Sequence, residues 1–227
     1  MTAPTSPWSI PLFAATDTLP SLEGVLNSIS NAVNTALNTI NANTVLNYTT
    51  LTNLNAVAGT YLGQQATVDA DSTTTNNGIY SWSGSVWRMW NSDWFTFTPT
   101  LTNITVGTTG AVNAFKYRYE SGEIHVRGQI VLGTGGSVGT TPTMTLPVNS
   151  AALSVAYQGF VGTNKYTSPT ATINYLGSVA ANNTSVSAVI LRSLSGTGVS
   201  EGNLTASVPF TWAVGCGLTF DFWYDHA

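Results

Sequence analysis

Gly135-Gly136-Ser137-Val138-Gly139 fits the Gly-x-Ser-x-Gly expression of serine hydrolases, and Asp221 and His226 follow in the matching chain order. That chemistry needs a strand, a strained elbow and a helix to raise the serine hydroxyl. Ser137 instead lies in a Gly/Thr loop followed by Pro142 and a strand pattern, so the run reads as a glycine-rich hairpin loop. Asp69 and Asp71, with Asn76 and Asn77, supply calcium-loop residue types without the alternating ligands, central glycine and closing glutamate, and read as turn chemistry. Glycoside hydrolysis needs two carboxylates a defined distance apart. Among the C-terminal acids Glu120, Glu123, Glu201, Asp221 and Asp225, the first two flank a tight turn and read as solvated. Asp221, Asp225 and His226 cluster near the C-terminal end, where an exposed chain end is favoured over an ion site on a symmetry axis. His125 and Cys216 lack zinc spacing, and Cys216 on a strand pattern reads as a buried, inert thiol. No catalytic residue, cofactor or metal site is expected.

Aromatic side chains can stack on sugars, and Tyr157, Tyr166 and Tyr175 are the candidate receptor contacts. Trp212 and Trp223 lie on strand patterns and read as core or interface. Loops at 133–141, 163–169 and 193–202 are the candidate receptor regions.

Composition narrows the function classes. Of 227 residues 43% are hydrophobic and only 7% charged, against about 25% in an ordinary globular protein. Seven Trp, nine Tyr and eight Phe supply enough burial to rule out a disordered chain. A net charge of −4, with six basic residues and none before Arg88, argues against nucleic acid. No apolar run approaches the ~20 residues that would span a membrane, and the first residues lack the basic and apolar regions of a secretion signal.

The elements that must carry any site divide the chain into four. Residues 1–20, with Pro4, Pro7, Pro11 and Pro20, form an extended arm whose Trp8, Ile10, Leu12 and Phe13 suit docking. Leu22, Leu26, Ile29, Val33, Ala36 and Ile40 then follow at alternating steps of four and three, the seam of a short coiled coil. Between them lie Asn27, Ser28, Ser30, Asn31, Asn34, Thr35, Asn38 and Thr39, each costing about half a kcal/mol against Ala in a helix. So poor a helix needs partners, and copies of itself fit best. Residues 21–60 thus read as stalk and neck. Residues 61–93 form a small β module, with strands at Ala66–Val68, Ile79–Trp82 and Val86–Trp90. From 94 to 227 roughly ten short strands alternate with turns, the pattern of an antiparallel, jelly-roll-like sandwich. Its clearest hairpin joins Phe115–Glu120 to Glu123–Ile130 through Ser121-Gly122. The expected fold class is mainly β behind a coiled-coil helix.

This order of parts resembles bacteriophage minor tail proteins and short tail fibres, particularly those of phages infecting actinobacteria. The likeness is carried by Trp8-Ser9-Ile10-Pro11-Leu12 with Thr16-Asp17 and by Tyr80-Ser81-Trp82-Ser83-Gly84-Ser85-Val86-Trp87. Phe97-Thr98-Pro99-Thr100-Leu101 with Gly122, Val126-Arg127-Gly128 and Pro209-Phe210-Thr211-Trp212-Ala213 completes it. The resemblance implies a homotrimer in the virion, tethered to other virion proteins through its N-terminal arm. Its C-terminal head would meet a host cell-surface polysaccharide or cell-wall polymer, without nucleic acid and without membrane insertion. Tail-tip location is the expectation. A capsid-attached head fibre or decoration protein with no receptor role is the alternative.

Overall fold

The computed structural model describes residues 22–42, 45–151, 160–169, 174–182, 185–195 and 200–226. The arm residues Trp8, Ile10, Leu12 and Phe13, and Tyr157 in the head, lie outside them. The chain forms two compact units, 1–44 and 45–227.

The first unit contributes one helix, α1 (Leu22–Ala42), with Glu23 in its first turn near the positive end of the helix dipole. Its hydroxyls turn back onto the helix: Ser28 donates to the Gly24 carbonyl at 2.9 Å and Thr35 to that of Asn31 at 2.8 Å. Along the predicted seam Leu26 is 56% exposed, Ile29 55% and Val33 50%, and Ala36 is exposed as well. Leu22 and Ile40 fall within the same helix.

The second unit opens with a small module: β1 (Leu46–Tyr48), α2 (Leu51–Asn55), β2 (Gln65–Val68), β3 (Gly78–Trp82) and β4 (Trp87–Asn91). The strands pair in the order β1-β2-β3-β4, with β1 parallel to β2 and the remaining pairs antiparallel. Thr50 caps α2 by accepting from the Asn53 N–H at 3.2 Å. Leu54, Ala66, Val68, Tyr80, Trp87 and Met89 fill the core, with Leu46, Tyr48 and Leu51 packed on it. Residues 46–55, expected in the neck, therefore belong to this module. The physical reason is the parallel pairing of β1 with β2, which needs α2 and the following loop as its crossover. The Tyr-x-Trp-x-Gly-Ser-x-Trp run gains a structural meaning. Tyr80 and Trp87 are core residues, Trp82 packs tilted on Trp87 with centroids 5.3 Å apart, and Gly84 (φ +95°) makes the turn.

The head follows: β5 (Phe95–Thr96), β6 (Leu101–Thr105), β7 (Ala111–Glu120), β8 (Glu123–Val131), β9 (Ser137–Thr145), β10 (Phe160–Thr167), β11 (Asn174–Asn182), β12 (Ser185–Ser195), β13 (Ser200–Asn203) and β14 (Gly217–Asp225). Hydrogen bonding runs through one continuous sheet, β5-β7-β8-β14-β10-β11-β12-β9-β6, with β13 beside β12. Its opposite edges, β5 and β6, are neighbours in sequence. The backbone from Thr96 to Leu101 spans at most ~18 Å, whereas nine flat strands at ~4.8 Å spacing would hold the edges ~38 Å apart. The sheet must curl. Within the curl Ile124, Val126, Ile130, Met144, Leu191 and Phe222 belong to one hydrophobic core that draws on strands from both ends of the path. The expected mainly β head is here one curled sheet. Pro209, without an N–H to give a ladder, stands in the irregular stretch where a strand through Trp212 was expected.

Module and head are stitched together. Backbone N–H groups of Ser92 and Gly122 donate to Tyr119 and Trp90 carbonyls at 3.1 and 3.0 Å, and the Ser121 N–H donates to Asn91 Oδ1 at 2.9 Å. Phe95 and Tyr119 pack against both cores.

Candidate functional site

Pleating of β7, β8 and β14 sorts their side chains by parity. Phe115, Tyr117, Ile124, Val126, Phe220 and Phe222 enter the core, and Lys116, Arg118, Glu120, His125, Arg127, Asp221 and Trp223 take the outer face. Register then assembles rows across the three strands. Arg118, His125 and Trp223 stand side by side, as do Lys116, Arg127 and Asp221. At the bulge in β7 the Phe115 ring lies against Gly128, where an added Cβ would sit 2.4 Å from the ring, so only glycine fits.

His125 is the centre of the outer-face cluster and, at 1% exposure, is buried there. Its Nε2 is 2.6 Å from Asp221 Oδ1 and its Nδ1 is 3.0 Å from Glu120 Oε2. A neutral imidazole carries one N–H, so only the protonated ring donates to both carboxylates. Arg118 grips Glu120 through two nitrogens at 3.2 and 2.7 Å, and Arg127 Nε lies 3.2 Å from Asp221 Oδ2. The Arg118 hydrogen bond chiefly holds the Glu120 carboxyl below its ordinary pKa; burial, the next effect, opposes it, and smaller contributions from His125 and Trp223 lower it further. Two indoles cover the imidazole: Trp223 stacked at 3.9 Å and Trp94 tilted at 5.0 Å. Lys116, Arg118 and Arg127 lie 4.9, 4.8 and 5.4 Å from the Trp94 ring centre. Half of the six basic residues of the chain thus converge on one tryptophan. Both His125 nitrogens face carboxylates, and the ring packs on Trp94, which the network helps to hold in place.

Trp94 also faces a groove between the module and the head. Two adjoining hollows of about 450 and 460 Å³ meet at Asn77 and Asp93. Thr67, Asp69, Asn91 and Ser92 line the first, and Thr74, Thr75, Trp94 and Thr96 the second. Asn77 is a scaffold residue. Its Oδ1 accepts from the Asp71 N–H at 2.8 Å and its Nδ2 donates to the Asp71 carbonyl at 3.2 Å. Asp71 in turn accepts from the Leu51 and Thr73 N–H groups, both at 2.9 Å, which hold its pKa low. These residues are turn and cap chemistry, as their spacing suggested. Among the described residues no group of three or more His, Cys, Asp or Glu is placed to hold a metal ion.

The other sequence candidates are dispersed. Asp221 faces outward to His125, while His226 packs edge-on against Tyr119 at 5.2 Å and Ser137 opens β9 opposite Thr105, so the Ser-Asp-His set does not assemble. Cys216 is buried, its Sγ accepting from the Ala213 N–H at 3.2 Å. Tyr166 requires correction as a receptor contact. It is 0% exposed, its hydroxyl donates to the Arg192 carbonyl at 2.8 Å and its ring packs on Trp212, because strand parity turns it inward. Tyr175 is half-buried against Phe210 at 5.2 Å. Much of the loop sequence proposed for recognition is strand: 137–141 in β9, 163–167 in β10 and 193–195 in β12. Sequence reasoning passed over Trp94 and Asp93, and weighed His125 only as a zinc ligand. The available signal was charge density, with Lys116, Arg118, Glu120, Glu123, His125 and Arg127 falling within twelve residues of a chain that is 7% charged.

Compared with protein-family models, with curated proteins and with solved structures, the chain finds no match.

Proposed function

We propose that the protein is a homotrimeric virion fibre, of the minor tail protein type, that presents its β head for attachment to a host cell surface. The observation that carries this reading is the seam of α1, where Leu26, Ile29 and Val33 lie exposed in heptad register on a helix with weak intrinsic propensity. Water-facing apolar groups in that spacing gain most by packing on identical helices. The number three, the virion and the host surface come from the resemblance of the chain to phage tail fibres. The jelly-roll-like sandwich belongs to the same reading, with the curled sheet as its supporting feature. Three heads on one stalk turn weak single contacts into avidity ~10²–10⁴ above one site.

The test is competition. Purified full-length protein at saturating dose should block adsorption of the virions that carry it, and gold-labelled antibody against it should mark the tail tip. Undiminished adsorption, with gold on the capsid, would replace adhesion by a decorating role.

A further inference from the structure

We propose that the groove between the small module and the head binds an uncharged polyhydroxylated ligand, a stretch of neutral sugar chain, through Asp93 and Trp94. The inference rests on the adhesive-fibre reading only for where such a chain would come from. The groove chemistry stands by itself. Each hollow falls within the ~300–1,000 Å³ that takes up a small ligand. Their junction at Asn77 and Asp93 makes a trough, which suits successive units of a chain.

The groups along the trough are those that meet hydroxyls. Among the described residues the Asp93 carboxylate and the Trp94 indole N–H make no hydrogen bond within the protein. A carboxylate accepts from two neighbouring hydroxyls at once, and the indole N–H donates to an oxygen. Thr74, Thr75 and Thr96 add exposed hydroxyls beside them. Trp94 is held by His125 and by the three cations around its ring. It therefore meets a ligand without losing rotamer freedom, which removes a main cost of binding. The charge on the trough excludes the opposite class. Asp69 and Asp93 line it and would repel an anionic polymer. The nearby basic groups are engaged, Arg118 and Arg127 with carboxylates and Lys116 over the Trp94 ring.

The experiment is calorimetric titration of the full-length protein with oligosaccharides of glucose, mannose, galactose, rhamnose and N-acetylglucosamine, with oligogalacturonate as the anionic probe. At least one neutral oligosaccharide should bind with Kd of ~1 mM or tighter. Asp93→Ala should weaken it by ~10-fold or more, and Thr75→Trp, which fills the trough, should abolish it. Both positions are exposed and without side-chain partners, so both variants should melt with the wild type. Failure of every neutral probe, equal binding by both variants, or salt-sensitive binding of oligogalacturonate alone would overturn the proposal. The same variants separate it from the fibre reading. If they lose sugar binding yet still compete with virions for cells, adhesion stands on another surface and the groove has no part in it. If the groove binds sugar and the wild type competes for no cells, the adhesive role falls.

Discussion

His125 has a carboxylate beside each ring nitrogen and two indoles packed on its ring, at a position almost closed to solvent. Such a network is sensitive to any member that loses its charge, because the others are then left unpaired. Glu120 is the member whose titration is most directly shifted, its pKa lowered chiefly by Arg118. A carboxyl whose folded pKa is depressed contributes stability that is present above its unfolded value and disappears as pH falls through the folded one. Glu120→Gln should therefore melt below the wild type near neutral pH, with the gap closing as pH drops below ~4. Thermal melts across that range check it, and a gap that stays constant into acid would remove Glu120 from the network. Asp71, anchored by two backbone N–H groups in the small module, follows the same sign.

At the scale of elements, the module and the head share residues. Tyr119 leaves β7 to pack in both cores, and β4 runs into hydrogen bonds with the β7–β8 turn. A fragment starting at residue 94 loses that support and uncovers Phe95 and Tyr119, whereas one starting at residue 45 keeps it. The 45–227 fragment should express as a folded, cooperative unit, and the 94–227 fragment should be less stable by several kcal/mol or insoluble. Equal melting of the two would show the head to be independent. The β7–β8 hairpin was legible in the sequence because its signals are local: alternation on both strands, and Ser121-Gly122, which take φ of +54° and +84°. Helix α1 was legible through its heptad. The parallel β1–β2 pair was not, since it joins residues twenty apart and no local pattern announces it. Tyr166 was misplaced because a tyrosine in a loop and one on the inner face of a strand look alike until register is known. The outer-face cluster was half legible. Alternation put its charges on one face, but the rows that bring Arg118 to His125 to Trp223 span about a hundred residues of chain.

At the scale of the whole molecule, the exposed seam of α1 sets what has to be explained. A chain with 7% charged residues relies on burial more than on ion pairs to stay folded. The helix that carries the seam is rich in Asn, Ser and Thr, and in the proposed trimer packing against sister helices supplies what propensity lacks. In the proposed reading the resemblance to tail fibres gives a copy number of three, and multivalent attachment would follow from three heads on one stalk. Light scattering coupled to size exclusion on the full-length protein tests this most directly. A trimer should read about 72 kDa, three times the 23.9 kDa of one chain. A folded, monodisperse species of 23.9 kDa whose helix α1 is intact would contradict it.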